Sequence, residues 1–190
     1  MVIYADNAAT TQLDTDAFEA MKPFLLENYA NPSGAYSYSK KAKQAIKAAR
    51  KTIAECINAE PEQIYFTSGG TESDNWAIKG FALSDYDYKA VITSQIEHHA
   101  ILNSCYDIER LKHPVAYLPV DCKGVVATDT LNRYISDRTG LVSVMTANNE
   151  IGTIEPIKEL AQIAHSHGAL FHTDAVQAVG HIPIDVKVLG

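Results

Sequence analysis

Four short polar segments carry the side chains that could do chemistry in this sequence. They are TSGGTES at 67–73, SQIEHHA at 94–100, TANNEIGT at 146–153 and HTDAVQ at 172–177. Each segment links an apolar run that predicts a β-strand to a pattern that predicts an α-helix. Because ligands of α/β proteins bind beyond the carboxyl ends of the strands, we expect all four segments to open on one rim of a sheet.

The first segment has the composition of a site for a single phosphate group. Gly69 and Gly70 let the backbone approach a ligand, and the following helix offers N–H groups and the positive end of its dipole. Thr71 adds a hydroxyl group. The segment is neither a Walker loop nor a GxGxxG motif. The alternative is ordinary turn chemistry, with Thr71 and Asp74 forming a helix cap.

The other three segments favour a ligand with a charged aromatic ring. His98 could lie flat on such a ring or move protons, and the third segment supplies two amide side chains. Asp174 follows an apolar run, where burial would raise the pKa of its carboxyl unless a cation such as a protonated ring nitrogen lies beside it. Gln177 could hydrogen-bond a phenolate oxygen. Taken alone, His98 could instead be a capping or surface residue, the asparagines could be turn residues, and Asp174 could cap the next helix.

Together the four segments describe the contacts that pyridoxal phosphate requires of a protein. They supply a cradle for a phosphate, a group that stacks on a ring, amides for a ring oxygen and an acid for a ring nitrogen. A mononucleotide fits less well, because nothing in the segments would recognise a ribose or a base.

The composition argues against several other classes of protein. The net charge of −7 over 190 residues disfavours a nucleic-acid partner. No apolar run approaches the ~20 residues that span a bilayer, and the N-terminus lacks the pattern of a signal peptide, so we expect a cytoplasmic protein without a membrane partner. Cys56, Cys105 and Cys122 have no CxxC spacing, which favours neither a metal site nor a disulfide framework.

Strand-like and helix-like runs alternate along the chain. Predicted strands lie at 63–68, 89–94, 115–120, 140–147 and 169–174, and predicted helices at 15–29, 38–57, 71–83, 99–112, 128–136 and 157–168. Largely apolar strands that alternate with helices indicate βαβ crossovers. The predicted fold class is therefore α/β, with a mostly parallel sheet flanked by helices.

The segments also resemble a known family. The motifs DNAATT, ANPSG, GGTESDN, EHHAI, NNEIGT and HTDAVQAVGHIPIDV resemble, in order and spacing, those of cysteine desulfurases, which are pyridoxal-phosphate enzymes of the aminotransferase class V fold. The resemblance favours the branch that serves iron–sulfur cluster assembly and tRNA thiolation. It covers essentially the whole chain.

The resemblance implies a role for each candidate residue. Gly70 and Thr71 would bind the cofactor phosphate, and His98 would stack on the pyridine ring as the candidate catalytic group for proton transfer. The remaining cofactor-binding residues would be Asn149 and Gln177 at the ring hydroxyl and Asp174 at the pyridine nitrogen. It also implies that 7–10 and 31–33 line the substrate entrance. The cysteines at 56, 105 and 122 do not match the catalytic cysteine of the family and are interpreted as structural.

The resemblance further implies that 1–190 is the N-terminal part of the cofactor-binding large domain, with 1–14 as an N-terminal arm. The C-terminal small domain, the Schiff-base lysine and the sulfur-accepting cysteine are expected beyond Gly190, so the chain alone is expected to be inactive. The full-length protein is expected to be a homodimer that converts L-cysteine to alanine, forms a protein persulfide and meets a sulfur-acceptor or scaffold protein. The alternatives are a non-catalytic or split module that binds the cofactor or a partner, and another class V lyase such as a selenocysteine lyase.

Overall fold

The computed structural model describes residues 3–84 and 87–190. By its internal contacts the chain divides into two units, residues 1–65 and residues 66–190. No helix of the described residues has the length and apolar character needed to cross a membrane.

The first unit contains two α-helices. Helix α1 spans Thr15–Leu26 and helix α2 spans Lys40–Ile57, with short 3-10 turns at Ser37–Ser39 and Pro61–Gln63. The carboxylate of Asp14 caps α1 by accepting hydrogen bonds from the N–H groups of the second and third residues of the helix. Helix α1 buries none of its side chains, so this cap is a main local source of its stability.

The second unit contains a parallel sheet flanked by helices. In chain order its elements are α3 Gly70–Ser84, β1 Ala90–Ser94, α4 His99–Arg110, β2 Val115–Leu118, α5 Thr128–Tyr134, β3 Thr139–Ser143, α6 Ile157–Ser166, β4 Leu170–His172 and α7 Val186–Leu189. The strands pair in the order β2-β1-β3-β4, and every pairing is parallel. The predicted α/β class with a parallel sheet is confirmed.

Alternate residues of the strands pack on opposite faces of the sheet. Val91 and Leu141 lie in one buried cluster with side chains of α3 and α4. Their neighbours Ile92 and Val142 lie in a second cluster with side chains of α5 and α6. Both faces of the sheet are therefore covered, which explains why its strands read as continuous apolar runs.

The strand predicted at 63–68 is wrong. Residues 61–63 form a 3-10 turn, and no strand pairing includes 64–68 within the described chain. Tyr65 and Phe66 are 67% and 50% exposed. A β-propensity run becomes a strand only where a neighbouring strand pairs with it, and the local pattern does not reveal that neighbour.

The strand order creates a crevice between β1 and β3. These two strands are neighbours, but the connection from β1 runs through α4 on one face and the connection from β3 runs through α6 on the other. Diverging connections leave an opening beyond the carboxyl ends of the two strands, where ligands of open α/β sheets bind.

The packing predicts a large loss of stability for Leu160→Ala. Leu160 is fully buried in the cluster beneath α6, so the truncation should leave a cavity and lower the free energy of unfolding by about 3 kcal/mol. Urea unfolding of the purified protein measures this. Gln162→Ala, on the exposed side of the same helix, is the control, and equal effects of the two substitutions would contradict the assigned core.

Candidate functional site

The third and fourth polar segments meet directly at the end of β3. The N–H of Thr146 donates to the carbonyl of Asp174 at 2.8 Å, and the hydroxyl groups of Thr146 and Thr173 lie 2.8 Å apart. These contacts extend the β3–β4 pairing by a few residues, so they fix Asp174 at the mouth of the sheet.

The second and third segments meet across the crevice between β1 and β3. The N–H of Met145 donates to Oε1 of Glu97 at 2.9 Å, and Nδ2 of Asn148 donates to the carbonyl of Ile96 at 2.8 Å. Two hydrogen bonds thus connect the loop that contains His98 to the loop that contains Asn149.

The first segment reaches the fourth at the start of α3. A Cβ atom built on Gly70 would lie 2.7 Å from Cγ2 of Val176, so the start of α3 lies directly against the side chain of Val176. One turn further along α3, Oδ1 of Asp74 lies 3.8 Å from Nε2 of His172. All four polar segments therefore lie on one rim, as the sequence predicts.

The candidate phosphate site is the N-terminus of α3. Gly70 is half-buried and Thr71 is exposed, and the first N–H groups of a helix have no acceptor within that helix. The N–H groups of Glu72 and Ser73 bond to the carbonyl of Gly69. The carboxylate of Glu72 accepts a hydrogen bond from the N–H of Ser68 at 2.6 Å, which lowers the pKa of Glu72. Because α3 begins at Gly70, Thr71 lies inside the helix, and the sequence-based alternative of a cap formed by Thr71 and Asp74 is wrong.

His98 is the N-cap of α4. Its Nδ1 accepts a hydrogen bond from the N–H of Ala100 at 3.1 Å, and its ring is exposed. Nδ1 therefore carries no proton in this arrangement, and the neutral ring has its proton on Nε2. The capping role that the sequence left open is present, and it leaves Nε2 available to a ligand.

The two asparagines of the third segment have different environments. Asn148 is buried, and its Oδ1 accepts from the N–H groups of Glu150 and Ile151, so it shapes the loop. Asn149 is half-buried, and its side chain makes no hydrogen bond to the described part of the chain. Gln177 is half-buried three residues after Asp174. Asn149 thus has an amide to offer a ligand.

Asp174 is a buried acid at the centre of the rim. It is 8% exposed, and its Oδ1 accepts from the N–H of Val176 at 2.9 Å. Among the described residues no lysine or arginine forms an ion pair with it. A buried carboxylate without a cation is unfavourable, so this position fits a ligand that brings its own positive charge.

Sequence reasoning missed three titratable residues around Asp174, of which two are buried and one is half-buried. Burial, and then the charge of Asp174, raise the pKa of Asp74 to about 7. Burial also raises the pKa of Glu97 to about 7 and lowers the pKa of His172. One signal could have revealed Asp74, because it falls on the same helix face as the buried Ile78 and Ala82. No comparable periodic signal marks Glu97.

Within the part of the chain that the structure describes, the cysteines and the metal-binding groups offer no second site. Cys105 is buried, and burial raises the pKa of its thiol to about 12, which fits the expected structural role. Cys56 and Cys122 are exposed, so burial does not support the structural interpretation of these two. Over residues 3–84 and 87–190, no three His, Cys, Asp or Glu side chains are placed to hold a metal ion.

Comparison with known proteins identifies the family. A sequence model of the family described as aminotransferase class V matches residues 3–190. The chain belongs to this family. The cysteine desulfurase IscS of Methanosarcina thermophila is 55% identical over 188 residues, which are 98% of this chain and 46% of that protein. The protein of the same name from Dictyoglomus turgidum is 52% identical over 99% of this chain and 48% of its own length.

Solved structures agree with the sequence comparison. A NifS-like protein superposes with a TM-score of 0.97 at 38% identity, covering 100% of this chain and 53% of that one. A structure described as SspA in complex with cysteine gives 0.95 at 38% identity, covering 98% and 54%. The predicted resemblance to cysteine desulfurases is confirmed. The chain spans about half the length of the curated relatives it matches.

The buried carboxyl of Asp74 predicts that the stability of the protein depends on pH, and Asp74→Asn should weaken that dependence. In the folded protein the carboxyl of Asp74 keeps its proton up to about pH 7, whereas in the unfolded chain it ionises near its ordinary value of 3.8. Folding stability should therefore fall as the pH rises between these values and remain lower above them. The variant should be more stable than the parent by about 2 kcal/mol at pH 8, with little difference at pH 4.

Urea unfolding of the cofactor-free protein between pH 4 and pH 8 measures this difference. Asp129→Asn, an exposed substitution in the first turn of α5, is the control and should not reproduce the gain in stability at pH 8. A pH-independent effect of Asp74→Asn would contradict the proposed burial of its charge.

Proposed function

We propose that this chain is the N-terminal, cofactor-binding part of a cysteine desulfurase. The observation that carries the proposal is the meeting of four polar segments around the buried carboxylate of Asp174. The family is generally dependent on pyridoxal phosphate, and the named relatives are cysteine desulfurases. The proposed reaction converts L-cysteine to alanine and leaves the sulfur on a protein cysteine as a persulfide.

The side chains present fit pyridoxal phosphate. Gly70 and Thr71 lie at a helix N-terminus that suits a phosphate, and the lack of a Cβ at Gly70 leaves room for the side chain of Val176 in the fourth segment. Asp174 suits a protonated pyridine nitrogen because it is buried and lacks an ion-pair partner among the described residues. Asn149 and Gln177 would hydrogen-bond the ring hydroxyl, and His98 would lie against the ring.

The cofactor, when bound, supplies an electron sink for the bonds at the substrate Cα. The side chains of this chain would place charged and hydrogen-bonding groups around the cofactor and hold it in position. The carboxylate of Asp174 would hold a proton on the ring nitrogen. In this arrangement His98 would offer Nε2–H to the ligand as a hydrogen-bond donor, and it would take up a proton only after Nδ1 releases the N–H of Ala100.

The other participants in the reaction are proposed from the family. The Schiff-base lysine and the sulfur-accepting cysteine would come from the remainder of the full-length protein, whose relatives are about twice as long as this chain. The 190 residues alone would then lack desulfurase activity. The full-length protein would be a cytoplasmic homodimer that delivers sulfur to an acceptor or scaffold protein.

The proposal is tested by assaying alanine formation from L-cysteine with the full-length, cofactor-loaded protein. Asp174→Asn should lower turnover about 100-fold, because a neutral amide cannot hold the ring-nitrogen proton as a carboxylate does. The absorption spectrum of the bound cofactor should change as well. Asp129→Asn, exposed on α5, is the control with expected parental turnover and spectrum. Undiminished turnover in Asp174→Asn, or no alanine from the parent, would refute the assignment.

A further inference from the structure

Glu97 occupies an unusual position for a charged residue. It is 5% exposed, and it lies between the end of β1 and the first turn of α4. Its Oε1 accepts two hydrogen bonds, from the hydroxyl of Ser94 at 2.6 Å and from the N–H of Met145 at 2.9 Å. Its Oε2 is buried and has no hydrogen-bond partner among the described residues.

The two hydrogen bonds of Glu97 close the crevice at its base. Ser94 ends β1, and Met145 follows the end of β3. The backbone ladder between these strands includes Thr93 and Ser143, so the carboxyl group continues the connection past the last paired residues. A side chain that accepts from both strand ends limits how far the loops beyond them can separate.

The polypeptide around Glu97 is held by a small network. The hydroxyl of Ser94 accepts from the N–H of Ile96 at 3.3 Å while it donates to Glu97, and the carbonyl of Ile96 accepts from the side chain of Asn148. The next residue in the chain is His98, whose Nδ1 caps α4. The two residues just before His98 are therefore bonded to the loop after β3, and the position of the imidazole depends on those bonds.

We propose that Glu97 is a positioning residue, which sets the place of His98 on the rim through the two hydrogen bonds of its Oε1. The inference rests on the proposed function, because it concerns how the cofactor meets His98. The acceptor oxygen of the side chain carries this role, and its negative charge does not.

The surroundings of Glu97 support a role for the acceptor oxygen. Burial raises the pKa of Glu97 to about 7; the hydrogen bonds from Ser94 and Met145 oppose this shift, and the charges of Asp174 and Glu155 add to it. A negative charge on Glu97 would also raise the pKa of the buried Cys105 thiol. A glutamine at 97 could accept the same two hydrogen bonds through its side-chain oxygen.

The proposal is tested with Glu97→Gln and Glu97→Leu in the full-length protein. Glu97→Leu should raise the dissociation constant of pyridoxal phosphate about tenfold, as expected for the loss of a buried, hydrogen-bonded support. It should also change the visible circular dichroism of the bound cofactor and speed amide hydrogen exchange at Ala100 and Met145. Glu97→Gln should restore the dissociation constant to within about twofold of the parent and restore the dichroism and the exchange rates.

Glu155→Leu is the matched control. Glu155 is also 5% exposed, and its Oε2 accepts from the N–H of Val126 at 2.8 Å while its Oε1 has no partner among the described residues. This substitution should lower stability as a buried truncation does, without changing the cofactor dichroism or the exchange of the Ala100 amide.

Each outcome decides the matter. If Glu97→Leu leaves the dichroism and the Ala100 exchange unchanged, or if Glu97→Gln behaves like Glu97→Leu, the proposal is wrong. If Glu97→Leu does not fold, Ser94→Ala removes one of the two donors and should produce the same changes at smaller amplitude. A parent that binds no cofactor would refute the proposed function alone, because amide exchange in the free protein still measures the connection between Glu97 and His98.

Discussion

The site depends on the parallel pairing of β1 with β3. Parallel neighbours bring their carboxyl ends to one edge, and the connections of these two strands leave on opposite faces of the sheet. The opening that results is where polar side chains can surround a ligand without disturbing the core. The β3–β4 pairing then adds Asp174 to the same edge, since the carbonyl of Asp174 accepts from the N–H of Thr146.

The buried carboxyl groups at this edge of the sheet lower the stability of the unliganded protein. Asp74, Glu97 and Asp174 are each less than a tenth exposed, and each carboxyl lies close enough to another to influence its ionisation. Buried like charges favour the protonated forms of Asp74 and Glu97 at the expense of stability at higher pH. A ligand that carries a positive charge to Asp174 would relieve this repulsion. The same arrangement that weakens the free protein would therefore favour binding of a protonated ring.

Much of the second unit could be predicted from local patterns, whereas its long-range contacts could not. Alternating apolar runs placed the four strands and their helices, and the polar residues after each strand indicated the rim. The predicted strand at 63–68 failed because strand formation depends on a partner that is distant in sequence. Glu97 was missed for a similar reason, since its bond to Met145 joins residues 48 positions apart. Neither the helical nor the strand repeat of apolar residues marks a contact of that kind.

His98 shows how a capping role and a chemical role can belong to one side chain. The sequence presents them as alternatives, because an imidazole at a helix start can serve as a cap or contact a ligand. In the structure the cap uses Nδ1 only, as the acceptor of the Ala100 N–H. That bond fixes the neutral tautomer, so Nε2–H is the group that the ring would present to a ligand. The cap orients the ring for chemistry at the rim, so the local structural role supports the proposed functional one.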